Sequence, residues 1–257
     1  YKGTGWTNAD LRGNYKIGGN EGSHLLSFGA HYDYNRLNFE QWTIGANQGW
    51  QTASTGTPYS ISKGVTQTQA LWIQDLWKMH PDLRLTAGLR YENWSSFDGQ
   101  IANLQPTNLV VSNFNKFGYN GKFSPKVSLA WDAPSDVLVI GSLAKATRFP
   151  TVSELYSSDK CSTTIGRCSQ SGVTASYYTP DPTTKKPEDV TSAELSFERS
   201  GGAGNARFTI FSEQVRNALL KQLYAINPAQ PDDYYNIWGN VEKVTATGIE
   251  LAGQAND

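Results

Sequence analysis

Cys161 and Cys168 carry the most specific chemistry in the sequence and are its only two cysteines. Their spacing can be closed by a small loop. In an oxidising compartment such a pair suggests a local disulfide that stiffens its loop. Two free thiols or a metal pair are the alternatives, and no His stands nearby to support a metal. The same stretch holds Lys160, Arg167, Tyr177, Tyr178, Asp181, Lys185 and Lys186. Mixed charges and aromatics on a loop could catch a polar ligand, cations favouring an anionic one. The bland alternative is a solvated loop.

Other constellations are weaker. Arg148 and Glu154 fall where a strand pattern gives way to that loop, and they can form an ion pair. His24 and His31 have opposite strand parity, and His80 sits in a short turn, so the three histidines build no site. Ser27, His31 and Asp33 share a face, but a Ser-His-Asp set needs a shaped oxyanion site that neighbours on one strand rarely make. No P-loop is present, and no GxGxxG opens a helix. Neither an enzyme, nor a cofactor, nor a metal is expected. Asn93-Trp94-Ser95 fits a glycosylation sequon of a kind that chance often produces.

The elements that must position these residues read as strands. With a net charge of −1 there is no basic field to hold nucleic acid. The 8 Trp, 13 Tyr and 10 Phe argue against disorder. No run of apolar residues is long enough for a transmembrane helix. The only Met is Met79 and the first residue is Tyr1, from which a fragment or processed chain is expected. Apolar and polar residues alternate along Leu26, Phe28, Ala30, Tyr32 and Tyr34, and again along Leu83, Leu85, Ala87, Leu89 and Tyr91. Val127, Leu129, Trp131 and Ala193, Leu195, Phe197 repeat the pattern. Period two puts each apolar set on one face of a strand.

About nine strands are expected, over 4–17, 23–43, 63–79, 83–100, 121–132, 136–148, 188–199, 205–220 and 235–253. Short connections at 18–22, 80–82, 133–136 and 200–205 alternate with long ones at 44–62, 101–120, 149–187 and 221–234. In an up-and-down antiparallel meander, alternate connections lie at one end, so all tight turns fall together and all long loops oppose them. That asymmetry marks a bacterial outer-membrane β-barrel. Apolar residues then face lipid, while Arg84, Arg90, Glu92, Lys126, Asp132, Glu194 and Glu198 face a wet interior. A soluble β-sandwich would turn the same charges to solvent. The loop asymmetry therefore carries the membrane reading, and the lipid bilayer is an expected partner.

Several segments resemble the barrel region of TonB-dependent outer-membrane receptors. Gly88-Leu89-Arg90-Tyr91-Glu92 is similar to the family's "GLRY-acid" strand end, and Ser124-Pro125-Lys126-Val127 to its "SPK-hydrophobic" strand. Arg148-Phe149-Pro150-Thr151 with Glu154-Leu155-Tyr156 resembles its "fR-x-Pt-x-x-El" segment. Lys186-Pro187-Glu188 resembles its "kPE" strand entry, and Gly248-Ile249-Glu250 its "GiE" strand. These pieces run in the family's order across 70–251.

The resemblance implies a middle piece of a barrel of about 22 strands, with residues 1–257 as one partial barrel domain. It also implies a separate plug domain, through which the TonB–ExbB–ExbD system drives uptake of a scarce ligand. A ferric siderophore is the commonest such ligand. Arg84, Arg90, Glu92, Arg148, Glu154, Glu194 and Glu198 become lumen- or plug-facing charges. Haem is disfavoured, because 149–190 holds no His and Thr183-Thr184-Lys185-Lys186-Pro187 replaces the "NPNL"-like segment of haem-uptake members. Two rivals of other classes remain: a passive porin or adhesin barrel, and a secreted soluble all-β binding domain.

Overall fold

The computed structural model describes residues 2–43, 57–105, 108–162, 175–202, 204–227 and 230–255. Its strands are β1 (Gly5–Ile17), β2 (His24–Thr43), β3 (Thr57–His80), β4 (Leu83–Gln105), β5 (Asn108–Phe114) and β6 (Phe117–Ala133). There follow β7 (Val137–Arg148), the one-turn helix α1 (Val152–Leu155), β8 (Asp159–Ser162) and β9 (Ala175–Tyr178). The last three strands are β10 (Glu188–Gly201), β11 (Gly204–Asn227) and β12 (Gln230–Ala255). One sheet runs β1-β2-β3-β4-β6-β7-β10-β11-β12, with β5 folded back on β4 and β8 paired with β9 apart from it. All neighbours are antiparallel. The architecture is thus the all-β up-and-down meander expected of a barrel wall, left open at both edges.

Tight connections gather at one end. Gly18 and Gly19 take left-handed φ values of 86° and 68° between β1 and β2. Ser135 and Asp136 do the same without being glycine, at 67° and 59°, between β6 and β7. The opposite end differs from expectation in two places. The stretch expected as a long loop to about 120 is largely a hairpin, with Leu104 opposite Leu109 and Gly99 opposite Phe114. The stretch 221–234 is mostly strand, with β11 and β12 paired from Gly204↔Ala255 up to Asn227↔Gln230. The cause is physical. Where water wets both faces of a strand, pairing continues while alternation of apolar and polar residues lapses.

The sheet curls. One cleft is lined by Asp10 and Arg12 of β1 together with Ala144 and Ala146 of β7, five strands away along the sheet. Its polar face is therefore concave. Across that face run Asp10–His31, Asn14–Ser27 and Ser196–Thr209 hydrogen bonds. The convex face carries the apolar set: Leu11, Leu71, Leu143 and Leu251 are each more than half exposed. Such a continuous apolar band is foreign to a soluble monomer. The main buried cluster lies on the concave side: Trp94, Ile101, Val152, Leu155 and Tyr156, with Phe114, Phe117, Tyr119 and Phe149 around it.

Candidate functional site

The segment joining β7 to β8 does not rise freely. Pro150 cannot continue β7, and Thr151 caps α1: its Oγ1 accepts from the Glu154 N–H at 3.3 Å. The Glu154 carboxylate accepts from the Thr151 N–H at 2.7 Å in return. The same carboxylate takes both contacts from Arg148 Nη1, at 3.0 and 3.1 Å. Arg148 also grips Glu188 at the start of β10 through Nε at 2.5 Å and Nη2 at 2.8 Å. Glu188 Oε1 further accepts the Leu219 N–H of β11 at 2.6 Å. One guanidinium thus ties β7, α1 and β10 by charge-assisted bonds and reaches β11 through Glu188.

Tyr156, at the end of α1, drops into a slot in the sheet and is fully buried. The slot exists because two strand positions lack side chains. A Cβ on Gly64 of β3 would lie 2.3 Å from the Tyr156 ring, and one on Gly99 of β4 would lie 2.2 Å from it. The register shifts by one residue there, and Asp98 takes a left-handed φ of 54°. The phenol oxygen is 2.7 Å from Ser96 Oγ, and Ser62 Oγ donates to the Tyr156 carbonyl. Burial pushes the phenol pKa up. Beside the slot, Trp94 lies between Phe149 at 5.7 Å and Tyr119 at 5.9 Å, both stacked.

The returning arm meets the same place. Lys185 is buried and its Nζ donates to the Leu155 carbonyl at 2.8 Å. Desolvation lowers its pKa to about 8, opposed by Asp181 and Glu154. The Tyr119 hydroxyl donates to the Lys185 carbonyl at 3.0 Å. Asn240 of β12 accepts the Lys186 N–H at 2.8 Å and donates back to the Lys186 carbonyl at 2.9 Å. Both feet of the long connection are therefore fastened to the wall, and together they form a strap.

Among the ligand-capture residues singled out in sequence, Lys185 is buried. It serves the interior of the strap, because its stem and ammonium are enclosed by α1, and it does not stand free at the mouth. Lys186 is exposed. Tyr178 is partly exposed and stacks on Tyr235 at 5.3 Å. Lys160, Cys161 and Tyr177 lie on the β8–β9 hairpin with side chains outside the described residues. Arg167 and Cys168, and hence the disulfide, lie outside the described residues altogether.

The remaining charges line the concave face, three arginines among them in ion pairs. Arg84 donates to Asp132 near the tight turns, and Arg90 Nε reaches Glu92 at 2.8 Å. Arg207 donates to Glu198, and Glu194 accepts from Ser196 at 2.8 Å. Between the strap and β1 lies a cleft of about 520 Å³ bordered by Trp6, His31, Arg36, Arg90, Glu92 and Arg148. Sequence reasoning passed over Gly64, Gly99 and Asn240. An isolated Gly within a strand pattern was the available signal for the first two.

The family model of the TonB-dependent receptor-like β-barrel matches residues 1–256. No curated protein matches the chain. Several solved structures share the fold. The copper transporter OprC superposes with a TM-score of 0.68 at 15% identity, over 97% of this chain and 35% of its own. The ferric-catecholate import receptor Fiu from K12 E. coli gives 0.62 at 15%, over 98% and 35%. The ferric yersiniabactin uptake receptor FyuA from Yersinia pestis gives 0.60 at 16%, over 96% and 32%. The chain spans about a third of the length of each. With the meander, the two-sided wall and a family match over almost every residue, the chain belongs to the TonB-dependent receptor β-barrel family.

Proposed function

We propose that this chain is a sector of the barrel wall of a bacterial outer-membrane receptor that takes up a ferric siderophore. The observation that carries the reading is the two-sided sheet: an uncovered apolar face outside, paired charges inside, and a fastened strap at the long-loop end. Residues 1–257 act in it as one partial barrel domain, and the energy comes from TonB–ExbB–ExbD through a plug domain. The function is transport rather than catalysis. The exposed apolar band disfavours a secreted soluble domain, and the family match disfavours a passive porin or adhesin. Two of the three structural neighbours above take up ferric chelates, and the third is named for copper, which makes a copper chelate the alternative cargo.

Capture falls to the 157–187 connection in this reading. Tyr177, Tyr178, Lys160, Arg167 and Lys186 present aromatic and cationic groups to an anionic chelate, a Cys161–Cys168 disulfide stiffens their loop, and Lys185 holds the foot. The test uses the full receptor on whole cells, with 157–184 replaced by a short Gly-Ser linker. Binding of ferric enterobactin and ferric yersiniabactin is expected in the wild type and lost in the variant, with surface display unchanged. Unchanged binding in the variant would move capture elsewhere. Binding of a copper chelate alone would replace the cargo.

A further inference from the structure

On the convex face, three strands carry a cation on the long-loop side of their apolar residues, directly on β7 and beyond two polar positions on β11 and β12. Leu143 of β7 is followed on its face by Lys145. Ile210 of β11 leads through Ser212 and Gln214 to Arg216, and Ile249 of β12 leads through Thr247 and Thr245 to Lys243. The register brings these three together. Arg216 sits directly opposite Lys243, while Lys145 lies opposite Thr191, which in turn faces Gln214. Lys145 is thus two strands from β11, about 10 Å away across the sheet. All three are exposed.

These cations differ from those inside. On the concave face Arg84, Arg90, Arg148 and Arg207 each hold a carboxylate. Outside, among the described residues, no carboxylate pairs with Lys145, Arg216 or Lys243. Arg216 Nε is bonded only to Gln214 Oε1, at 3.0 Å. Asp189, opposite Arg216, has its carboxylate 3.9 Å from Lys122 Nζ instead. Like charges directly opposed on an antiparallel pair repel, and an anion seated between them turns that cost into attraction. The anion's kind follows from what lies below. The cations stand above an uncovered apolar wall, with Ser212, Gln214, Thr245 and Thr247 between on β11 and β12, so a molecule that spans both parts has an acidic head, a polar neck and hydrocarbon chains.

We infer that Lys145, Arg216 and Lys243 form a docking site for the head of a phosphate-bearing lipid whose chains lie on the apolar band beneath. The site rests on the barrel spanning a bilayer, and is separate from ligand capture. It is tested on the full receptor in phosphatidylcholine nanodiscs containing either spin-labelled phosphatidic acid or spin-labelled phosphatidylcholine. The immobilised fraction of each label is read at low salt. The wild type is expected to hold phosphatidic acid over phosphatidylcholine at least about tenfold, from roughly one favourable contact per cation. Joint Lys145→Gln, Arg216→Gln and Lys243→Gln should bring the two lipids to parity. Lys243→Glu alone, which gives Arg216 a partner, should lower the preference severalfold, whereas the concave-face change Lys126→Gln should leave it intact. Inorganic phosphate should not compete. A wild type without preference, a triple variant that keeps it, or full competition by inorganic phosphate would each overturn the proposal. A receptor that immobilises neither label has not entered the bilayer, and that result overturns the membrane reading as well.

Discussion

Arg148 and Tyr156 show how single side chains place a long connection. The guanidinium spends its donors on Glu154 and Glu188, so it acts as a joint between elements. Removing it leaves two buried carboxylates, at an expected cost of about 3 kcal/mol or more. Gly99→Ala tests the slot: the new methyl overlaps the Tyr156 ring. We expect a loss of about 1–3 kcal/mol in strap stability. It would be read as faster hydrogen exchange at the Tyr156 N–H, which bonds to the Val152 carbonyl. Tyr156→Phe keeps the ring and loses only the Ser96 contact, so its effect should stay near 1 kcal/mol. Lys185 gives a pH signature. Its pKa falls from 10.5 to about 8 on folding, so the unfolded chain binds the extra proton between those values. Stability should therefore rise with pH across that window, by up to about 3 kcal/mol. Lys185→Met should remove the slope and be no less stable near neutral pH, as denaturant titrations at several pH values would show.

At the scale of elements, β11 and β12 outrun any membrane. Crossing the hydrocarbon core takes about 9–11 tilted residues, and these strands have 24 and 26. The surplus forms a hairpin standing over the long-loop end, to which the strap is moored by Asn240. Asn240→Ala would free the Lys186 backbone and the Asn217 carbonyl. We expect trypsin to cut after Lys185 several times faster in that variant, with the barrel itself intact, while the Lys186–Pro187 bond resists the protease. The elements were legible in sequence where lipid imposes order. Leu89–Tyr91 and Val127–Trp131 alternate because one face must be apolar. Where water wets both faces, as in Lys221–Ile226, nothing enforces period two, and the pattern reads as loop. The site was legible in part for a related reason. Arg148, Glu154 and Tyr156 stood in a motif, yet the use of Lys185 depends on burial by α1, which lies about thirty residues earlier in the chain. No local pattern encodes that.

At the scale of the whole sheet, the decisive feature is that, among the described residues, β1 and β12 each pair on one side only. Unpaired backbone groups beside an apolar face invite pairing with other chains and are costly in lipid. The 257-residue piece alone in aqueous buffer is expected to self-associate, and sedimentation velocity would show a broad distribution of oligomers that detergent narrows. A monodisperse monomer without detergent would contradict the barrel-wall assignment. The strap has a longer reach. Its feet are locked by Tyr156 in the glycine slot and by Lys186 on Asn240, and between them the described residues meet the wall through side chains, Asp159 on the Asn236 N–H and Tyr178 on Tyr235, rather than through a strand ladder. Insertions, deletions and wholesale exchange there leave the strand pairings untouched. A lineage under attack at its surface, or confronted with a new nutrient, can rewrite that stretch freely while inheriting the wall unchanged.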